Sequence, residues 1–142
     1  MTDAMIYTSY FSNISSILER IPDAKFISIA GKTPSGIDCA KYKPLMPHWS
    51  WWKEWHSMFV EDLESIDSIA WYEKKYNSTV LFHLDPLKTA QEIKDLANWQ
   101  PTILLCYESP KKFCHRHLVA KWLNSFRIDC EELDIIKRGE DE

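Results

Sequence analysis

Apolar and polar positions alternate along this chain in short buried runs and longer amphipathic stretches. Met5 to Tyr10 is rich in β-branched and aromatic residues and predicts a first strand. Ile14, Ile17, Leu18 and Ile21 then recur at helical spacing, with Ser12 or Asn13 placed to cap and Pro22-Asp23 to stop the helix. Lys25 to Ala30, closed by Gly31, reads as a second strand. Strand, helix and strand at this length make one βαβ unit, whose crossover should be right-handed.

Lys32 to Pro47 carries three prolines and Gly36, so an ordered loop is expected. His48 to Tyr76 has a helical pattern: Trp49, Trp52, Trp55, His56 and Phe59 share one face, and Ile66, Ile69, Ala70 and Tyr76 fall in a second helix. Trp51 departs from that first face and is the tryptophan expected to be exposed. Pro86 opens another helix that runs to near Trp99. Thr102 to Leu105 is a short apolar run suited to a strand buried on both faces. Leu118, Trp122 and Phe126, with Val119 and Leu123 beside them, set a further helix. Ile128 to Ile135 is the last predicted strand, and the charged tail 137–142 should fray.

This order predicts an α/β fold: a small three-layer domain over residues 1–142, with a mainly parallel sheet of about four strands. A helical insert separates two βαβ halves. The first strand and the strand at 102–105 should be neighbours, so their carboxyl ends flank one crevice, where open sheets bind ligands.

The densest chemistry falls at that crevice. Cys106, Tyr107 and Glu108 end the strand, and Cys114, His115 and Arg116 open the next helix. Unpaired amides and the dipole at a helix start favour a thiolate and bind anions. Cys114 is therefore a candidate nucleophile, His115 or Glu108 a candidate acid/base, and Arg116 an anion clamp partnered by Glu108. His117, two residues on, faces away from His115. Ser9, Tyr10, Cys106 and Tyr107 are candidate walls of the ligand site. The plainer reading makes Cys114 buried filler and the tryptophan-rich helix a core-packing face. A metal held by Cys106, Cys114 and His115 is a further alternative, although no standard zinc spacing is present. No metal or cofactor is assigned.

These segments carry a resemblance. Leu104-Leu105-Cys106-Tyr107-Glu108 followed by Cys114-His115-Arg116 is similar to the paired motifs of the DUF488 family. Tyr7-Thr8-Ser9-Tyr10-Phe11 resembles that family's first strand, and Lys43-Pro44-Leu45-Met46-Pro47 its middle segment. The likeness runs from about residue 5 to about residue 135. The family is defined by sequence and not by a reaction, so the resemblance implies a fold and a site.

Composition narrows the picture further. The 142 residues suffice for one core, and 45% apolar content suits a globular protein. A net charge of −4 argues against broad nonspecific nucleic-acid binding. No apolar run reaches the ~20 residues of a membrane span, and no basic region followed by an apolar core opens the chain. A cytoplasmic setting with four reduced cysteines is the expectation. The functional reading is an enzyme or enzyme-like domain that binds a phosphate-bearing or nucleotide-like ligand. The alternative is a noncatalytic module that senses a nucleotide or docks protein or nucleic acid.

Overall fold

A computed structural model describes residues 5–107 and 112–134. Glu108 and the tail 137–142 lie outside the described residues. Five strands, β1 (Ile6–Tyr10), β2 (Lys25–Ser28), β3 (Ala40–Lys41), β4 (Thr102–Cys106) and β5 (Cys130–Glu132), form one sheet in the order β3-β2-β4-β1-β5. Every pairing is parallel. β1 and β4 are neighbours, with Tyr10 opposite Cys106, as the crevice argument requires. The fifth strand arises inside the expected loop, where Ala40 and Lys41 pair with Ile27 and Ser28. Two residues are too few to leave a period-2 signature in the sequence.

Five helices cover the sheet: α1 (Ile14–Arg20), α2 (Trp49–Met58), α3 (Ile66–Thr79), α4 (Pro86–Leu96) and α5 (His115–Ser125). The strand pleat divides the core in two. Ile103 and Leu105 face α1 with Phe11 and Ile17. Ile6, Ile27, Leu104 and Cys106 face the other way, toward the layer formed by α2 to α5. β4 is buried along its whole length, and Ile103, Leu104 and Leu105 are 0% exposed. Each such side chain contributes about 1.5–3 kcal/mol over an exposed one, which is why the middle strand is the most apolar.

Caps set the insert. Ser65 accepts the Ser68 amide at 3.1 Å to start α3, and Asp85 accepts the Leu87 amide at 3.1 Å ahead of Pro86. α4 ends at Leu96, short of Trp99, because Asn98 and Trp99 turn left-handed at φ 54° and 60°. The exposed tryptophan of α2 is Trp49, at 66%; Trp51 is 5% exposed and packs edge-on against Trp71 and Tyr72. The buried pair is thus Trp51 and Trp55, an i, i+4 stripe as regular as the one read from Trp52 and Trp55. With so many tryptophans in one helix, periodicity alone does not choose the face.

Candidate functional site

Cys106 ends β4, and Cys114 is the N-cap of α5, with extended backbone at φ −153° and ψ 149°. The strand and helix therefore aim both sulfurs at one point beside His115. The two sulfurs and a ring nitrogen of His115 all lie within 4.8 Å of one another, and all three residues are buried. His115 Nε2 lies 2.6 Å from the carbonyl of Ile29. A carbonyl only accepts, so Nε2–H donates to it, and Nδ1 is the nitrogen that faces the Cys114 sulfur, at 4.0 Å. Tyr76 and Tyr72 pack on the imidazole at centroid distances of 5.3 and 6.5 Å, and the Tyr76 hydroxyl donates to the Leu45 carbonyl.

The two thiols are driven apart in acidity. Burial raises the Cys106 thiol, and its hydrogen bond to Cys114 keeps it protonated. Burial alone would raise Cys114 too. It is outweighed by the hydrogen bonds from Cys106 and His115 and by the charges of His115 and Arg116, which bring Cys114 well below an ordinary thiol. The result is a thiolate held by a neighbouring thiol at the positive end of an 11-residue helix.

The ligand types at this cluster suit a soft metal. The Cys106 sulfur is 3.7 Å from Nδ1 and 3.5 Å from Nε2, almost equidistant. A metal on the lone-pair line of Nδ1 would hold its other ligands away from Nε2. Cys106 would have to swing to join such a site.

A cavity of about 470 Å³ opens onto the cluster. Cys106, Tyr107, Cys114 and His115 line one side, with Phe113 beside them. Trp49, Trp52, Trp55 and His56 of α2 and Tyr72 of α3 form an aromatic wall, and Ala30, Gly31 and Lys32 after β2 complete the rim. Trp52 stacks on Trp49 at 5.2 Å and on His56 at 5.1 Å. Among the described residues, Lys32 brings a lysine ammonium to this lining.

Ser9, Tyr10 and Arg116 do not line this cavity. Ser9 pairs with Leu105 and so faces the α1 side, where its hydroxyl donates to the Leu133 carbonyl at 2.7 Å and accepts from Asn13 at 3.1 Å. Asn13 thus occupies the N-cap position of α1 while its side chain serves this edge instead. Tyr10 lies on the same face as Cys106, but its hydroxyl donates to Asp134 at 2.6 Å. Arg116, 0% exposed, meets Glu132 as its carboxylate: Nε sits 3.0 and 3.1 Å from the two oxygens, and Nη2 sits 3.0 Å from Oε2. The Tyr10 ring stacks 5.5 Å from the guanidinium carbon. Among the described residues, Arg116 Nη1 has no hydrogen-bond partner. Thr8 donates to the same Glu132 at 2.6 Å, so the polar end of β1 fastens β5 to the sheet. Sequence reasoning missed Tyr72, Tyr76 and Glu132. The first two carried an i, i+4 aromatic spacing that could have flagged them, whereas nothing near Glu132 in the sequence points to Arg116.

The fold and this cluster together define a parallel α/β protein with a paired-thiol and histidine site at the carboxyl end of its central strand. The chain belongs to the DUF488 family: residues 26–127 match the family model DUF488-N3a, described as the active DUF488-N3 subclade. No curated protein and no solved structure matches the chain. Among the described residues, no helix is long and apolar enough to cross a membrane.

Proposed function

We propose that this DUF488 chain, acting as one domain, is a cysteine-dependent enzyme that takes a nucleotide-like ligand into the aromatic cavity. The observation that carries the reading is the Cys114 sulfur at the cavity wall, with the Cys106 sulfur and the His115 imidazole beside it, an arrangement that lowers its pKa. A flat base stacks on tryptophan faces regardless of its hydrogen-bonding edge. Lys32 stands at the rim as a cation for phosphate. Arg116 is buried, has Nε and Nη2 on Glu132 and does not line the cavity, so it acts on the site through its charge rather than as the clamp. Cys114 attacks the electrophilic centre of the ligand, the bond from that centre to its leaving group breaks, and His115, held by Ile29, passes the departing group its proton. Glu108 remains a second candidate for proton transfer.

The noncatalytic alternative rests on Trp49, exposed yet stacked on Trp52, which could serve as a base platform without chemistry. Limited alkylation with iodoacetamide at pH 7, read by mass spectrometry, separates the possibilities. Cys114 should label first of the four cysteines, and nucleoside monophosphates should slow its labelling and raise the Tm. First labelling at Cys39 or Cys130 would overturn the thiolate argument. Protection unaccompanied by any turnover across a nucleotide panel would favour the binding module.

A further inference from the structure

We infer that Cys114 and Cys106 form a peroxide-driven disulfide that reversibly switches the site off. The inference uses the same thiolate as the proposed function but needs no substrate, so the two readings can fail separately.

The placement carries it. Cys106 stands at the end of a rigid, fully buried strand, and Cys114 caps a helix, with their sulfurs already within 4.8 Å. A disulfide requires a sulfur–sulfur distance of about 2 Å, so the two sulfurs have less than about 3 Å to close. Cys114 borders the cavity and is 9% exposed, so a small oxidant reaches it first. Cys106 is 0% exposed and stands behind it as the resolving thiol.

The other described cysteines are badly placed to compete. Cys130 shares the register of Ile6 and Thr102, four residues back along β4 from Cys106, roughly 13 Å at the rise of a strand. Cys39 precedes β3, which lies two strands from β4, roughly 10 Å away across the sheet.

The chemistry balances. The Cys114 thiolate attacks one oxygen of hydrogen peroxide; the S–O bond forms, the O–O bond breaks, and hydroxide leaves and is protonated to water. Sulfur loses two electrons and becomes sulfenic acid. The Cys106 sulfur then attacks the Cys114 sulfur. The S–S bond forms, the S–O bond breaks, and hydroxide leaves as water with the proton given up by Cys106. Two thiols and one peroxide give one disulfide and two waters. His115 Nδ1, 3.7 Å from the Cys106 sulfur and 4.0 Å from the Cys114 sulfur, is placed to relay the proton.

The test treats the full chain with a small excess of hydrogen peroxide and reads intact mass and cysteine alkylation. The expected product is lighter by about 2 Da, has lost both Cys106 and Cys114 from alkylation, and recovers both after dithiothreitol. Cys106→Ser, or Cys106→Ala if the serine variant does not fold, should instead stop at a Cys114 sulfenic acid trapped by dimedone. Wild-type Cys114 passing to sulfinic acid with Cys106 still free would overturn the inference. So would a Cys114–Cys130 or Cys114–Cys39 bond, or thiols shielded by a stoichiometric metal that a chelator removes. If the disulfide fails to form while Cys114 still alkylates first, the switch is lost and the proposed function stands.

Discussion

Substituting Glu132 by Ala strands a buried cation. The Arg116 side chain is 0% exposed, while Glu132 is 24% exposed, so the pair is asymmetric: the carboxylate can be hydrated and the guanidinium cannot. The substitution removes the oxygens that meet Nε and Nη2 of Arg116, together with the acceptor of the Thr8 hydroxyl. Breaking a buried ion pair costs about 3–5 kcal/mol, and the half-open carboxylate end argues for the lower figure, about 3 kcal/mol. For a chain of 142 residues that corresponds to a fall in Tm of roughly 12 °C. Arg116→Met leaves the more hydrated partner behind and should cost only about 1–2 kcal/mol. The paired replacement Arg116→Met with Glu132→Leu should recover most of the loss, because apolar groups of similar volume need no partner. Urea denaturation of the four proteins, with m-values compared, measures this. A second readout ties the pair to the site: the Arg116 charge helps lower the Cys114 thiol, so Arg116→Met should slow Cys114 alkylation at pH 7 and Glu132→Ala should not. Stability of Glu132→Ala within about 1 kcal/mol of wild type, or Arg116→Met as the worse variant, would refute the reasoning.

Two further outcomes follow from the geometry. The folded-state pKa of Cys114 lies below that of a free thiol, so its contribution to stability is full above about pH 8.5 and is lost as pH falls through the folded value. Cys130, pushed up to about 12 by burial, acts in the opposite sense and destabilises the fold as pH rises from about 8.5. The stability gap between wild type and Cys114→Ser, from urea midpoints, should therefore widen from pH 6 to about 8.5 and then level; a flat gap would mean the thiol is protonated throughout. Trp55→Phe removes the indole donor to the Ser68 hydroxyl at 2.9 Å and should cost about 1–2 kcal/mol by the same assay, most of it recovered if Ser68→Ala is added.

How much of this was legible in the sequence depends on how local the cause is. Cys114 at the start of α5 was readable, because Leu118, Val119 and Leu123 set the helical phase and the pair Ser109-Pro110 is a strand-breaking signal in the sequence. The neighbouring of β1 and β4 was readable from chain order. The use of Ser9 and Tyr10 was not. Both stand at the carboxyl end of β1, as expected, but β5 docks beside them, so their hydroxyls go to the Leu133 carbonyl and to Asp134. Where β5 docks follows from sheet register, which three paired residues leave unmarked in the sequence. The partner of Arg116 failed to be read for the same reason.

The strand order also bears on how the chain can be made. β1 emerges first in synthesis, yet its two neighbours are β4 and β5, whose first residues are Thr102 and Cys130. Until β4 has been added, the strand pair available among the described residues is the two-residue match of β2 with β3. The early chain must therefore hold an apolar first strand without a sheet to receive it, while the tryptophan-rich insert is already present. Closing β1 against β4 spans 96 positions, a long loop to close before any hydrogen bond rewards it. Nascent chains that stop before residue 106 should lack the β1–β4 and β2–β4 pairings, which makes the α/β core a late product of translation and leaves apolar strands open to aggregation before it.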